Sequence, residues 1–153
     1  MTRQFTLIAI GHVDGGRGPA EDDHWGNSRA AIVIDALPAD ALSGLDGFSH
    51  CEVVFIFDQL PESAISNGAR HPRGNPDWPL VGILAQRGRN RPNRIGVSVC
   101  KVVAVSGNRV EVEGLDAIDG TPVLDIKPVL SDFLPRGIVR EPDWARELMT
   151  DYW

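Results

Sequence analysis

Short apolar runs, interrupted by glycine, proline and acidic residues, set the pattern of this chain. Phe5-Thr-Leu-Ile-Ala-Ile-Gly-His-Val13 predicts a first strand and Ala30-Ala-Ile-Val-Ile-Asp35 a second. Further runs rich in Val, Ile and Phe predict strands over residues 52–57, 80–85, 95–105 and 109–112. Ser106-Gly-Asn108 between the last two is a hairpin turn signal. Within 95–105 one face carries Ile95, Val97, Val99, Val103 and Val105, and the other Gly96, Ser98, Cys100, Val102 and Ala104. Its far end is apolar on both faces, so the strand should be central, or covered by a second sheet or subunit. Residues 14–27, polar and glycine-rich with Glu21, Asp22 and Asp23, read as an exposed loop. Pro38 to Leu45 suits one or two helical turns. Strands joined by short turns, with almost no intervening helix, predict a small, mostly antiparallel β-barrel or sandwich. The exception is the end, where Trp144, Leu148 and Tyr152 stand four apart after Pro142-Asp, a short helix expected to dock by its aromatic stripe.

Length and composition fit one soluble domain: 153 residues, 42% hydrophobic and 24% charged, with 16 Gly and 11 Pro. Charge changes the picture more. Lys+Arg number 15 against 21 Asp+Glu, a net charge of −6, and only Lys101 and Lys127 are lysines. Six arginines fall between Arg70 and Arg94, where Asp77 is the lone acid. A uniformly basic nucleic-acid coat is excluded; a single cationic site on an acidic body is not. Cys51 and Cys100 lie in β-like runs and read as small buried hydrophobes in a reducing compartment. The N-terminal apolar run is shorter than a signal-peptide core, and no stretch approaches a membrane span. The expected location is the cytoplasm, with no membrane partner.

Two segments could carry chemistry. No dinucleotide glycine fingerprint, Walker loop, nucleophile elbow or metal-ligand spacing is present, so no metal is expected. In Gln86-Arg-Gly-Arg-Asn-Arg91 the arginines Arg87, Arg89 and Arg91 alternate, and an extended backbone would aim all three at one side. Such guanidiniums suit a carboxylate or phosphate; the same pattern also fits a solvated turn paired with the acidic body. The second segment, Leu115 to Pro128, sets Asp116, Asp119 and Asp125 around an Asp-Gly-Thr-Pro turn, with Lys127 close behind. Those carboxylates could hold a cation, a ribose hydroxyl or a base edge, or cap local backbone amides.

These segments resemble the signature of the TsaA-like family, the TrmO-type S-adenosylmethionine-dependent tRNA methyltransferases. That signature runs Ala-Thr-Arg, then Arg-Pro-Asn-Pro-Ile-Gly-x-Ser, then Leu-Asp-x-x-Asp-Gly-Thr-Pro-Val-x-Asp-Ile-Lys-Pro. Here stand Ala85-Gln-Arg87, Arg91-Pro-Asn-Arg-Ile-Gly-Val-Ser98 and Leu115-Asp-Ala-Ile-Asp-Gly-Thr-Pro-Val-Leu-Asp-Ile-Lys-Pro128. The similarity extends upstream to Leu45-Asp-Gly-Phe-Ser-His50 and Ile8-Ala-Ile-Gly-His12.

The resemblance implies a non-Rossmann β-barrel methyltransferase, usually a homodimer, with S-adenosylmethionine near the subunit interface. Its cofactor positions fall here on Asp58, Gln59, Arg87, Val97, Leu115, Asp116, Ala117, Ile118 and Asp119. Its substrate is the threonylcarbamoyl-modified adenosine beside the tRNA anticodon, methylated on N6, with Arg89, Arg91, Asn93, Arg94 and Lys127 as the candidate RNA contacts. Residues 1–135 are expected to form the barrel domain and 136–153 a helical tail packed on it, without the extra C-terminal domain of tRNA-modifying members. Four departures stand out. Asp58 replaces a common histidine, Gln86 a threonine and Arg94 a proline, and Asp14-Gly-Gly stands where the family has Arg-Ser-Pro. Asp58 is the one candidate general base, or else bonds a nearby turn. Methylation of a different acceptor, or S-adenosylmethionine binding without turnover, are the alternatives.

Overall fold

A computed structural model describes residues 2–153. Six strands close into an antiparallel barrel: β1 (Gly11–Asp14), β2 (Arg29–Ile34), β3 (His50–Ile56), β6 (Ile95–Ser106), β7 (Arg109–Glu113) and β8 (Pro122–Pro128). Around the barrel their order is β1-β2-β7-β6-β3-β8, and β8 returns to pair with β1. Closure leaves the barrel without a free edge, which suits a chain rich in β-branched runs. Two short strands, β4 (Ala69–Arg70) and β5 (Val81–Gly82), form a separate pair. The single α-helix among the described residues, α1 (Asp143–Leu148), follows Pro142.

Alternation fills the interior. Val13, Ile32, Ile34, Cys51, Val53, Phe55, Cys100, Val110, Val112, Leu115 and Val123 form one core cluster. On β6 the small-residue face points inward, with Gly96, Ser98 and Cys100 buried. The reason is local crowding: Gly96 lies opposite Phe55, and a Cβ there would meet the Phe55 ring at 2.5 Å. Cys51 and Cys100 are opposite each other across β3 and β6, both free thiols, with Sγ atoms 3.6 Å apart. Ser106 pairs with Arg109 around Gly107-Asn108, a two-residue hairpin.

Four expectations change. The first strand is only four residues long; Phe5, Leu7 and Ile8 precede it and are exposed, Phe5 at 78%. In β6 the register slips between Val102 and Ala104, a bulge at Val103. The bulge switches the alternation, so Val102 and Val105 both pack against the core while Val99 and Val103 face outward, exposed at 44% and 38%. The run at 80–85 gives only β5 and one 3-10 turn, Ile83–Ala85. The segment from Pro122 to Pro128, read as the flank of an acidic turn, is the sixth barrel strand, with its register against β3 shifted between Val54 and Phe55.

The loop between β1 and β2 is polar but not wholly exposed. Trp25 is buried within it, under the Arg17 guanidinium at 4.3 Å, and its Nε1–H donates to the Glu21 carbonyl. The chain end docks on that loop. His24 N–H donates to the Asp151 carbonyl and Trp25 N–H to the Tyr152 carbonyl, while Trp78 Nε1–H donates to Glu147 Oε2 at 2.8 Å. Gly26 is required there, since a Cβ would lie 2.8 Å from the Trp153 carbonyl.

Candidate functional site

The arginine segment leaves β5 through the Ile83–Ala85 turn and reaches β6 through a second turn, Pro92–Arg94, where Asn93 and Arg94 both take positive φ. Residues 86–91 belong to no strand, and Arg87, Arg89 and Arg91 have different surroundings. Arg87 Nη2–H donates to the Val97 carbonyl at 2.6 Å. Arg91 turns back to the Gln86 carbonyl at 2.7 Å, and Arg94 reaches the Leu60 carbonyl at 2.8 Å. Gln86 spends its amide on the carbonyls of Arg70 and Val81. Arg89 is exposed. These acceptors are neutral carbonyls, so they orient the guanidiniums without cancelling their charge. Among the described residues no carboxylate pairs with Arg87, Arg89, Arg91 or Arg94, whereas Arg73, earlier in the basic segment, pairs with Asp23 at 2.8 Å. That guanidinium holds the Asp23 carboxyl below the usual carboxylate range.

The acidic segment splits. Asp119 turns toward the β1–β2 loop and accepts the Gly15 N–H at 2.8 Å. Asp125 accepts the Ile126 N–H and pairs with Lys127 Nζ at 2.9 Å, which raises the Lys127 ammonium above its ordinary range. Leu115 and Ala117 are buried in the core cluster, so only their backbone groups can meet a ligand. Ile118 is half-buried beside them. Asp116 is different: Ser98 Oγ–H donates to its Oδ1 and Tyr152 O–H to its Oδ2.

Strand β6 therefore ties two opposite charges to consecutive residues. The Val97 carbonyl receives Arg87, and the Ser98 hydroxyl holds Asp116. Both charges act on Tyr152: burial, reinforced by the Asp116 carboxylate, pushes its phenol far above the ordinary range, against a smaller opposing pull from Arg73 and Arg87. Asp58 and Gln59 sit elsewhere on the rim, exposed in the turn after β3. The Phe57 N–H donates to the Arg94 carbonyl, which sets that turn beside Pro92–Arg94. The structure thus brings Arg87, Val97 and Asp116 together and separates Asp119, Asp125 and Lys127 from them.

Residues 15–133 match the family model of the tRNA-methyltransferase O N-terminal domain. The chain belongs to that family. It is 38% identical over 119 residues to the tRNA (adenine(37)-N6)-methyltransferase of Mus musculus, an alignment covering 75% of this chain and 27% of the mouse protein. It is 40% identical over 110 residues to the protein of the same name from Escherichia coli strain K12, covering 68% of this chain and 46% of that one. The crystal structure of TrmO from Pseudomonas aeruginosa superposes with a TM-score of 0.70 at 26% identity, over 90% of this chain and 62% of that one. The chain spans less than half the length of either curated relative. Membership in the family confirms the resemblance read from the two signature segments. Tyr152, which lies beyond the matched residues, was legible in the sequence only as the end of an aromatic stripe.

Proposed function

We propose that this chain transfers a methyl group from S-adenosylmethionine to N6 of the threonylcarbamoyl-modified adenosine beside the tRNA anticodon. The observation that carries this reading is the pairing of Arg87 and Asp116 on Val97 and Ser98 of β6. The donor set fits the cofactor. Arg87 spends one donor on Val97 and keeps the rest of its fork for a carboxylate. Asp116 accepts one hydroxyl on each oxygen, and each keeps a second lone pair for a ribose hydroxyl or an amine. Family membership and the names of the relatives support the same assignment.

When bound, S-adenosylmethionine supplies an electrophilic methyl on a sulfonium. The chain's part is positioning and electrostatics. Arg87 binds the methionine carboxylate, Asp116 receives a donor from the adenosyl part, and the backbone of 115–119 closes the site alongside Val97. Asp58 and Gln59 border it from the β3 turn. Asp58 makes no side-chain hydrogen bond among the described residues, so its carboxylate is available to take the proton lost by N6.

The RNA approaches over the arginine turn. Arg89, Arg91 and Arg94 present positive charge there and Asn93 a neutral amide, whereas Lys127 contributes less because Asp125 answers it. Two chains act together. The outward β6 face at Val99 and Val103, and the exposed Phe5, Leu7 and Ile8, are apolar surfaces of the kind a second copy covers in a homodimer. No helix among the described residues is long and apolar enough to cross a membrane. The proposed substrate, tRNA, goes with a cytoplasmic location.

Incubation with methyl-labelled cofactor, and with tRNA from cells with and without the threonylcarbamoyl modification, tests the reading. Label should enter the modified pool alone. The net charge of −6 favours a second reading, the same barrel methylating a non-RNA acceptor. Acceptor binding indifferent to salt would select it, because phosphate contacts weaken steeply as salt rises.

A further inference from the structure

The end of the chain does more than dock. Three anchors hold it: the His24 and Trp25 amides on the carbonyls of Asp151 and Tyr152, and the Trp78 indole on Glu147. The Tyr152 ring also stands edge-on to Trp153, 4.8 Å between centroids. Those contacts fasten the end of the chain, including its six-residue helix, to the body. The Tyr152 hydroxyl is not spent on them; it goes to Oδ2 of Asp116, while Ser98 takes Oδ1. One donor comes from a barrel strand and the other from a segment outside the family's matched residues, 15–133.

Two donors on opposite oxygens fix a carboxylate more tightly than one. A single bond leaves the group free to rotate about χ2; a second stops the rotation and sets the plane of the remaining lone pairs. The phenol also stays a donor at every physiological pH, because burial and the neighbouring carboxylate both oppose its ionisation.

We propose that Tyr152 is a positioning residue of the cofactor site, acting with Ser98 to fix the Asp116 carboxylate for a hydroxyl or amine donor of the bound adenosyl group. This rests on the S-adenosylmethionine reading above. It makes the chain end part of the site and not only its cover.

Calorimetric titration of S-adenosylmethionine into the full chain tests it, using wild type, Tyr152→Phe, Ser98→Ala, Asp116→Ala and the double variant Tyr152→Phe/Asp116→Ala. Tyr152→Phe keeps the ring and its packing, and thermal unfolding checks that each variant is folded. Loss of one hydrogen bond to a charged group should raise Kd roughly tenfold in Tyr152→Phe, and similarly in Ser98→Ala. In the Asp116→Ala background the same change should alter Kd less than about twofold, since nothing remains to position. Glu147→Gln, which weakens another anchor of the same segment, should lower the unfolding midpoint and leave Kd unchanged. A wild type that binds while both hydroxyl variants stay within about twofold of it would overturn the positioning role and leave the cofactor reading intact. An equal penalty in both Asp116 backgrounds would likewise reduce Tyr152 to an anchor. Failure of the wild type to bind would remove the cofactor reading and this proposal with it.

Discussion

Gly96 offers a quantitative test of how the barrel shapes its site. It is paired with Phe55 across β3 and β6, and a Cβ added there would lie 2.5 Å from Phe55 Cε2 and 2.6 Å from Cζ. Carbon atoms in contact sit about 3.5–4.0 Å apart, so the ring would have to retreat by about 1 Å. It has nowhere to go. Phe55 is fully buried in the core and stands edge-on to Phe57 at 5.2 Å. Overpacking of this sort costs about 1–3 kcal/mol. For a domain of this size each kcal/mol is worth about 2–4 °C, so Gly96→Ala should lower Tm by about 4–8 °C at the middle of that range. Thermal and urea unfolding of Gly96→Ala, Phe55→Leu and the double variant provide the assay. The smaller side chain makes room, so Gly96→Ala should cost less than about 0.5 kcal/mol in the Phe55→Leu background. A single variant within about 0.5 kcal/mol of wild type, or equal penalties in both backgrounds, would refute the steric account. Ser98, which holds Asp116, is two residues along the same inward face, so the strained variant should also bind S-adenosylmethionine more weakly.

Other perturbations separate charge from packing. Arg87→Ala removes an exposed side chain with one backbone bond, so calorimetry should show at least about tenfold weaker cofactor binding with little change in Tm. The Asp23 carboxyl is held low by Arg73, so the stability it adds is present above the ordinary aspartate range and is lost as pH falls through its lowered value. The difference between wild type and Arg73→Ala, under about 1 kcal/mol for so exposed a pair, should therefore be full above about pH 4 and fade in stronger acid, as followed by urea unfolding. Tyr152 is the only tyrosine, so phenolate absorbance reports it alone. Its raised value means the folded protein should show no phenolate at pH values near 10, with stability full below about pH 10 and declining above. Asp116→Ala should bring the midpoint down, and an ordinary midpoint in the wild type would contradict the burial described.

How much of this was legible in the sequence depended on local period. Strands β2, β3, β6 and β7 were, because each is rich in β-branched or aromatic residues and β6 and β7 meet at a Gly-Asn hairpin turn signal. Strand β8 was not. Asp125 and Lys127 interrupt its apolar pattern, and the register shift opposite Val54 and Phe55 puts Val123 and Ile126 out of phase with a simple alternation. Strand β1 was overextended because Phe5, Leu7 and Ile8 are apolar yet exposed, so hydrophobicity alone could not separate a strand from an exposed apolar segment. The bulge at Val103 hid which β6 valines face the core.

The site was half legible. Arg87 and Asp116 stood within segments long enough to identify a family, yet nearby carboxylates and arginines looked equivalent on paper. Geometry distinguished them: Asp119 caps Gly15, Asp125 pairs with Lys127, and Arg91 folds onto Gln86. The turns fold Asp125 and Arg91 onto near neighbours, whereas Asp119 reaches Gly15 across 104 residues, a contact that no spacing rule encodes. The Tyr152–Asp116 bond, which spans 36 residues, belongs to the same class.

The central claim is methyl transfer to one modified nucleoside. Mass spectrometry of digested tRNA tests it most directly, after incubation of the chain with S-adenosylmethionine and threonylcarbamoyl-bearing tRNA. The account predicts that the modified adenosine beside the anticodon gains the mass of one methyl group on N6, and that Arg87→Ala slows the gain. An unchanged nucleoside mass, with S-adenosylmethionine bound and the tRNA intact, would contradict it.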